Sequence, residues 1–326
     1  MAYKAQVYVD AKNKLDERRN NALKAQEMRH SAVLLKCPEI AEIEKEMASY
    51  GAAAVKAVAL GSDAEEFVLM LSEKSLEAQR KRKELLKNSG FPEDYLDAKF
   101  SCSVCRDTGF HDGYYCECYK TLIKETAKKQ LPFGHRLEEC SFKNFNRFYY
   151  PDLTDPILGV NQKDHMASIV EYCKEWAKDF SRSSGGIIML GQTGLGKTHL
   201  SLAIAGVVVD KGYNVYYNSV QNIMNSLEKE HFGRSKGEES IDEDLYESDL
   251  LILDDLGAEF ITQFTVSQLY NIINTRMIKG LPIIISTNLS MKEIEDKYSQ
   301  RIASRIIGNT MPLYFCGKDV RQIINS

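Results

Sequence analysis

The sequence predicts an α/β protein with a parallel sheet in its second half, preceded by a helical N-terminal domain and a small cysteine-rich module. From about residue 166 onward, short apolar runs alternate with helical patterns, which is typical of a parallel sheet flanked by helices. Residues 1–97 are rich in Ala, Glu, Lys, Arg, Leu and Met and contain almost no β-branched runs. Four of the eight cysteines fall between positions 102 and 118.

These changes in composition divide the chain into four segments. We expect a helical domain in residues 1–97 and a cysteine-rich module in 98–122. A linker in 123–165 would then lead into the α/β core in 166–326.

Composition and charge exclude several classes of protein. The 326 residues are 44% apolar and 27% charged, as in an ordinary globular protein. Because 42 Lys and Arg face 46 Asp and Glu, the net charge is −4, and any contact with nucleic acid needs a local basic patch. No apolar run approaches the roughly 18 residues of a membrane span, and the N-terminus lacks the apolar stretch of a signal peptide. We therefore expect a cytoplasmic protein with no membrane partner.

The first 97 residues carry apolar side chains at helical spacing, for example Leu23, Met28 and Val33. Three or four helices are expected, the last one ending before Gly90, with breaks near Cys37-Pro38, Gly51 and Gly61-Ser62-Asp63. The basic run at 80–83 is interpreted as a solvated helix face.

The cysteine-rich module has the ligand spacing of a metal site. A C-x-x-C pair is followed by a closer C-x-C pair, and the four thiolates together suit tetrahedral Zn²⁺. The predicted zinc ligands are Cys102, Cys105, Cys116 and Cys118. His111 lies between the pairs and could replace one ligand, and four reduced thiols without metal are the alternative. The nearby aromatic residues could stack on nucleic-acid bases or bury the small core of the module: Phe110, Tyr114, Tyr115 and Tyr119.

In the core, the predicted elements alternate in the order of a parallel sheet. Strands are expected at 187–190, 214–218, 250–253 and 282–286. Helices are expected at 165–180, 198–211 and 265–279, with a polar helical region at 220–246.

A glycine-rich loop between the first of these strands and the next helix matches the pattern G-x-x-x-x-G-K-[ST]. Glycines let backbone N–H groups approach phosphates, and the helix N-terminus adds a favourable dipole. The lysine of this pattern reaches the β- and γ-phosphates of ATP, and the threonine hydroxyl binds Mg²⁺. The predicted nucleotide-binding residues are Gly191, Gln192, Thr193, Gly194, Leu195, Gly196, Lys197, Thr198 and His199.

Acidic and polar residues follow two of the other strands. Asp254 ends an apolar strand, where it can hold Mg²⁺, and Asp255 can orient an attacking water. Asn288 follows the strand at 282–286, at the sheet edge where ligands bind, and its amide could sense the γ-phosphate; a loop asparagine that caps the next helix is the alternative. Later arginines could stabilise charge on a transferring phosphoryl group: Arg301, Arg305 and Arg321.

Together these motifs resemble the Walker A, Walker B, sensor 1 and late-arginine motifs of AAA+ ATPases. Within that superfamily the chain resembles the DnaC/DnaI-type bacterial helicase loaders and the related IstB transposition ATPases. Segment 141–145 is also similar to the linker that leads into the core in this family. The resemblance implies that Arg305 is the arginine finger acting on a neighbouring subunit, with Arg301 as the rival, and that Arg321 is sensor 2. Many AAA+ members have Glu at the position of Asp255, which implies slow or geometry-dependent ATP hydrolysis here, stimulated by DNA or a partner.

The same resemblance implies an ATP-dependent loader of the replicative DNA helicase. Residues 1–97 and the zinc module would bind the hexameric helicase. ATP-bound cores would assemble as a homo-oligomer on single-stranded DNA, and hydrolysis would drive release. The implied DNA surface is segment 222–248, for which a mobile acidic loop is the alternative interpretation; its basic residues are Lys229, His231, Arg234 and Lys236.

Three other functions remain open at this point. An IstB-like helper of a DNA transposase would share the core, although such chains usually lack an N-terminal extension with a zinc module. A small-molecule P-loop kinase would need an acceptor-binding lid. A zinc adaptor that binds nucleotide without hydrolysis is allowed by the aspartate at position 255.

Overall fold

The computed structural model describes residues 3–60, 65–131, 137, 139–232 and 241–324. The chain divides into two compact units. One unit comprises Met1–Asp10 and Thr121–Ser326, and the other comprises Ala11–Lys120. The predicted fold class is confirmed: a helical N-terminal region and a cysteine cluster precede an α/β core with a parallel five-stranded sheet.

The unit of residues 11–120 is built on three helices and a short hairpin. The elements are α1 (Ala5–Lys36), α2 (Glu39–Leu60), α3 (Glu65–Asn88), β1 (Phe110–His111) and β2 (Tyr114–Tyr115). Its small apolar core joins the end of α1 to α2, α3 and the chain after α3, through Val33, Cys37, Ile40, Leu86 and Leu96. As predicted, the last helix ends before Gly90.

The predicted break at Gly51 is wrong, because α2 continues through this residue. Three alanines follow Gly51, and strong helix formers of this kind offset the cost of about 1 kcal/mol for one interior glycine. The break expected at 61–63 lies outside the described residues. The basic run at 80–83 lies on α3, where Arg80, Lys81 and Lys83 are exposed, as expected for a solvated face.

Polar side chains of α1 fasten the chain that leads into the cysteine module. The Arg29 guanidinium donates to the carbonyls of Tyr95 at 2.9 Å and Asp97 at 3.0 Å. The Gln26 amide donates to Leu96 O at 2.7 Å, and Arg19 donates to Arg106 O at 2.6 Å. These bonds satisfy backbone acceptors in a segment that has no regular secondary structure of its own.

The other unit contains the sheet. Its helices are α4 (Glu117–Gln130), which begins in the unit of residues 11–120, α5 (Gln162–Lys178), α6 (Lys197–Asp210), α7 (Val220–His231), α8 (Asp242–Glu247), α9 (Gln263–Lys279), α10 (Met291–Lys297), α11 (Gln300–Asn309) and α12 (Val320–Ile324). A 3₁₀ turn spans Arg147–Tyr149. The strands are β3 (Gly186–Leu190), β4 (Val215–Ser219), β5 (Leu250–Leu256), β6 (Ile283–Thr287) and β7 (Thr310–Tyr314), all parallel in the order β4-β5-β6-β3-β7.

The four predicted core strands are present, with two differences in the surrounding elements. Strand β5 extends three residues further than predicted, to Leu256, and β7 adds a fifth strand. The predicted helical region at 220–246 is two helices, α7 and α8, and residues 233–240 between them lie outside the described part of the chain. Residues 250–254 and all of β6 are buried, as expected for interior parallel strands covered on both faces.

The first residues of the chain pack against this sheet unit. The Tyr3 hydroxyl donates to the carbonyl of Val209 at the end of α6, and the Lys4 ammonium lies 2.5 Å from a carboxylate oxygen of Asp244 on α8. Burial, with Asp210 nearby, raises the pKa of Tyr3 to about 12. None of the helices within the described ranges is long and apolar enough to cross a membrane.

Candidate nucleotide site and cysteine cluster

The glycine-rich loop joins β3 to α6 at the carboxyl edge of the sheet. Gly194 and Gly196 adopt φ values of 84° and 87°, which side chains other than glycine rarely tolerate. Helix α6 begins at Lys197 with no side-chain cap on its first turn. Its N-terminal N–H groups are therefore oriented toward the loop, the arrangement that binds phosphate in other proteins.

The Lys197 side chain curls back over the loop. Its ammonium donates to the carbonyls of Gly191 at 2.5 Å and Gln192 at 2.7 Å. Burial lowers its pKa, and the nearby carboxylates of Asp255 and Asp254 oppose that shift. Among the described residues no carboxylate lies within ion-pair distance of this ammonium, so an anionic phosphate in the loop could replace the two carbonyls as its partner.

Asp254 lies at the end of β5, beside the first turn of α6, and is 8% exposed. The Thr198 hydroxyl is 3.1 Å from Oδ2 and 3.3 Å from Oδ1 of this carboxylate. Hydroxyl and carboxylate oxygens are the protein ligands that Mg²⁺ accepts in nucleotide sites. The two residues predicted to bind magnesium are therefore in contact with each other.

Two further hydroxyls reach Asp254, and neither was predicted. The Tyr217 hydroxyl on β4 donates to Oδ2 at 2.5 Å, and the Ser286 hydroxyl on β6 donates to Oδ1. Both donors are buried, at 1% exposure each. No motif marks them in the sequence; only the pairing of β5 with both neighbouring strands brings them to the carboxylate.

A bulge separates the two aspartates. In the β5–β6 ladder Leu253 pairs with Ile285 and Leu256 with Thr287, so Asp254 and Asp255 together oppose Ser286. Asp255 takes a φ of 58° and donates its N–H to Ser286 Oγ at 2.9 Å. Its side chain is exposed, whereas that of Asp254 is buried. The adjacent carboxylates therefore occupy different environments, as their different predicted roles require.

Asn288 follows β6 and lies beside the loop after β5. A Cβ atom placed on Gly257 would be 3.6 Å from Asn288 Oδ1. The loop itself is fixed by Glu259, which is 5% exposed and accepts the Gly257 N–H at 2.9 Å and the Tyr298 hydroxyl. Asn288 is exposed at the carboxyl edge of the sheet, the edge predicted to bind the ligand.

The chain after β7 returns to the glycine-rich loop. Val320 donates its N–H to Gly194 O at 3.0 Å. Arg321 is exposed and pairs with Asp319 through Nε–Oδ1 and Nη2–Oδ2 contacts of 3.1 Å each. A Cβ atom on Gly194 would lie 1.9 Å from the same Asp319 carboxylate. The structure therefore brings Arg321 to the phosphate loop.

The arginines of α11 differ in their surroundings. The Arg305 guanidinium donates through Nε to Asn274 Oδ1 at 2.7 Å and stacks over the ring of Tyr270, 4.7 Å from its centroid. Both partners lie on α9 of the same chain. Arg301, one turn earlier, is exposed. Within this subunit Arg305 is thus held near α9, and Arg301 projects into solvent.

Segment 141–150 covers the other flank of the loop. The Tyr150 hydroxyl donates to Leu195 O at 2.9 Å, and its ring stacks on Phe145 with centroids 5.7 Å apart. His199 contacts the Phe145 ring edge-on and has Nε2 2.9 Å from Ser141 O. Of the predicted nucleotide-binding residues, Leu195 and His199 therefore contact this segment.

The four predicted metal ligands converge in the other unit. The sulfur atoms of Cys102, Cys105, Cys116 and Cys118 all lie within 4.8 Å of one another. The turns between them are held by Asp107, whose carboxylate accepts the N–H groups of Ser101 at 2.8 Å and Cys102 at 2.9 Å. Four thiols converging in this way fit the all-sulfur donor set of structural Zn²⁺. His111 is not part of the cluster, and its Nδ1 is 3.1 Å from Asp112 Oδ2.

The aromatic residues of the module divide into buried and exposed groups. Tyr119 is 4% exposed and makes edge contact with Tyr115 at 5.2 Å, so it belongs to the core of the module. Tyr114 is 78% exposed, Phe110 47% and Tyr115 45%. Three of the four predicted stacking residues therefore present a surface to solvent.

The predicted DNA segment is only partly described. Lys229 and His231 lie in the last turn of α7, whereas Arg234 and Lys236 lie outside the described residues.

Comparison with known proteins bears on the core. Residues 170–307 match the family model of the IstB-like ATP binding proteins. The chain is 24% identical over 179 residues to the replicative helicase loader DnaC of Escherichia coli K12, covering 55% of this chain and 67% of that protein. The predicted resemblance to these two groups is confirmed.

Two further matches extend the comparison. The phage-like element PBSX protein XkdC of Bacillus subtilis 168 is 24% identical over 242 residues, covering 66% of this chain and 81% of that protein. A crystal structure of the DnaC helicase loader matches 56% of this chain and 99% of its own, with 19% identity and a TM-score of 0.46.

Proposed function

We propose that this protein is an ATP-dependent loader of the replicative DNA helicase, acting on single-stranded DNA during initiation or restart of replication. The observation that carries the proposal is the contact of Thr198 with Asp254 beside a glycine-rich loop whose lysine donates to two loop carbonyls. Similarity to DnaC, a replicative helicase loader, supplies the partner class.

In this proposal the loop holds ATP. Lys197 would exchange its carbonyl partners for the β- and γ-phosphate oxygens, and the N-terminal N–H groups of α6 would donate to the phosphates. Thr198 and Asp254 would hold Mg²⁺, whose charge would offset charge developing on the phosphates. Asp255, whose side chain is exposed, would orient the attacking water.

The remaining polar residues would sense the state of the nucleotide. Asn288 would report the presence of the γ-phosphate, and Arg321 would contact the phosphates from beside Gly194. An arginine finger would enter from a neighbouring copy. Arg305 remains our first proposal for it, which requires release from Asn274 and Tyr270, and the exposed Arg301 is the alternative. ATP would thus bridge subunits of a homo-oligomer and act as an assembly switch.

The preceding segments would supply the contacts with partners. Residues 1–97 and a zinc module at 98–122, with Cys102, Cys105, Cys116 and Cys118 as ligands, would bind the hexameric helicase. The cores from 166 onward would contact single-stranded DNA through segment 222–248. Hydrolysis would then release the helicase, in the cytoplasm.

A second function is favoured by a specific observation. The family match to IstB-like ATP binding proteins allows the core to assist a DNA transposase instead. The helical and cysteine-rich unit of residues 11–120 supports the loader, because a helper of the IstB type usually lacks such an extension.

Size-exclusion chromatography of the full chain with the replicative helicase of the same organism tests the proposal. We expect co-elution that is stronger with ATP·Mg²⁺ than with ADP. Lys197→Ala should abolish the dependence on ATP, because no other described lysine donates to the loop carbonyls. The matched control is Lys174→Ala on α5, where the exposed ammonium lies 3.4 Å from Glu171.

If the helicase does not co-elute with the protein under any nucleotide condition, the proposed loader function is refuted. Nucleotide-dependent retention by a transposase in the same experiment would then favour the IstB-like function.

A further inference from the structure

The Asp254 carboxylate is surrounded by three hydroxyl donors from three different elements. Thr198 reaches it from α6, Tyr217 from β4 and Ser286 from β6. Thr198 is exposed, whereas Tyr217 and Ser286 are buried beneath the site. The carboxylate therefore has a buried side with two donors and an accessible side that faces the phosphate loop.

The donors leave a defined set of acceptor positions open. A carboxylate has about four lone-pair positions on its two oxygens. Tyr217 occupies one on Oδ2 and Ser286 occupies one on Oδ1. The remaining positions lie toward Thr198, the other predicted magnesium ligand. Removing a buried donor would let the Asp254 carboxylate rotate, so that its free lone pairs would be less well oriented toward the cation position.

We propose that Tyr217 and Ser286 are positioning residues that orient the Asp254 carboxylate toward the divalent cation of the nucleotide site. The inference rests on the proposed function only in assuming that the loop binds nucleotide with a cation. Neither hydroxyl touches the nucleotide. Each acts through Asp254, and together they set how tightly the cation is held.

The two residues differ in a way that separates their effects. Ser286 Oγ donates to Asp254 and also accepts the Asp255 N–H at 2.9 Å, so it connects both aspartates across the bulge. Of the two aspartates, the Tyr217 hydroxyl bonds Asp254 and not Asp255. Loss of the Tyr217 hydroxyl should therefore change cation affinity, whereas loss of the Ser286 hydroxyl should change cation affinity and turnover.

The sequence supplies a matched control for Tyr217. Tyr216 precedes it on β4, and because successive side chains alternate, its ring lies on the opposite face of the strand. Tyr216→Phe and Tyr217→Phe each remove one hydroxyl and leave the ring that packs. Thermal unfolding of both variants shows whether the fold is retained.

The experiment uses Mn²⁺ as the probe. Binding of Mn²⁺ to the full chain with a non-hydrolysable ATP analogue is followed by electron paramagnetic resonance, and Mg²⁺ dependence of ATP hydrolysis is measured in parallel. For Tyr217→Phe we expect about tenfold weaker Mn²⁺ binding, the loss expected for one hydrogen bond to a charged group. Turnover at saturating Mg²⁺ and nucleotide binding in EDTA should stay unchanged.

For Ser286→Ala we expect weaker Mn²⁺ binding and reduced turnover at saturating Mg²⁺, and for Tyr216→Phe no change in either. Unchanged or tighter Mn²⁺ binding by Tyr217→Phe would overturn the inference. An equal fall in turnover and in metal-free nucleotide binding would also overturn it, since that pattern indicates a general structural role. Failure of the proposed function is distinguishable: a wild-type chain that binds nucleotide but not the helicase refutes the loader alone, whereas one that binds no nucleotide overturns both.

Discussion

Replacing Cys118 by serine would remove one sulfur from the cysteine cluster and should abolish high-affinity zinc binding. Bonds of about 2.3 Å to a tetrahedral ion place sulfur atoms roughly 3.8 Å apart. The Cys102–Cys116 and Cys105–Cys118 sulfur distances are 3.8 Å and 3.3 Å, close to this value. The cluster therefore needs little rearrangement to accept the ion.

The size of the effect follows from sharing the binding energy among four ligands. Structural zinc contributes about 10–16 kcal/mol in small metal-dependent domains, so each thiolate accounts for about 2.5–4 kcal/mol. Since about 1.4 kcal/mol is a factor of ten, Cys118→Ser should weaken zinc binding by a factor of about 60 to 700. Wild-type protein should carry one zinc per chain, and the variant should lose it to a chelator at far lower concentration.

Loss of zinc should also weaken the packing of the residues around the module. Gly109 has a φ of 84°, and a Cβ atom there would lie 2.9 Å from Leu15 and 3.3 Å from Tyr119, so its turn packs closely on α1 and α4. We expect EDTA to lower the melting temperature of the wild type but not of Cys118→Ser. Elemental analysis and thermal unfolding measure both effects, with Cys140→Ser, outside the cluster, as control. Zinc content and EDTA response equal in all three proteins would refute the assignment.

Three other substitutions test separate parts of the sheet unit. Arg276→Met removes four hydrogen bonds from a fully buried guanidinium to Leu245, Ser248 and Pro282; we expect a loss of about 3 kcal/mol and a melting temperature lower by about 6–12 °C, and wild-type stability would contradict this. Because the pKa of Tyr3 is raised from 10.0 to about 12, the stability that the Tyr3 hydroxyl adds relative to Tyr3→Phe should be complete below pH 10 and should be lost as pH rises through 12. Urea unfolding of both proteins measures this difference, and parallel curves of stability against pH across that range would contradict it. Gly194→Ala places a Cβ atom on Asp319 and should weaken binding of a fluorescent ATP analogue about tenfold, whereas Gly206→Ala, with open space around it, should bind normally.

Contiguous motifs were the predictable part of this molecule. The glycine-rich loop, its preceding strand and the following helix occupy one stretch of sequence, so local pattern alone indicates the turn and the phosphate chemistry. The cysteine spacing is local in the same sense, and the four sulfur atoms converge as predicted. Asp254 was recognisable because it follows an apolar strand and is itself followed by a second aspartate, Asp255.

Strand β7 was not predicted, for two physical reasons. It contains Pro312, which lacks an N–H group and is usually found at sheet edges. It pairs with β3 alone, so its side chains are only partly covered and its sequence lacks the continuous apolar run of a central strand. A short run with proline and mixed exposure does not stand out from a loop.

Tyr217 and Ser286 were also beyond sequence reasoning. Tyrosine and serine are common in strands, and nothing in the residues around either one marks a partner. Their contact with Asp254 depends on the strand order and on the bulge in β5, both of which are tertiary properties. A motif identifies the carboxylate, whereas the residues that orient it become visible only after the strands are paired.

The glycine-rich loop illustrates how local and distant sequence combine. The Leu195 carbonyl accepts a hydrogen bond from the Tyr150 hydroxyl, and the Gly194 carbonyl accepts one from the Val320 N–H. The loop is therefore bonded to one segment that precedes the sheet in the sequence and to another that follows it. Because these bonds are made to backbone carbonyls, substitution of loop side chains would leave them intact, but displacement of the loop would strain both. The position of a short local motif is therefore fixed in part by the segment before α5 and by the segment after β7, both of which are far away in the sequence.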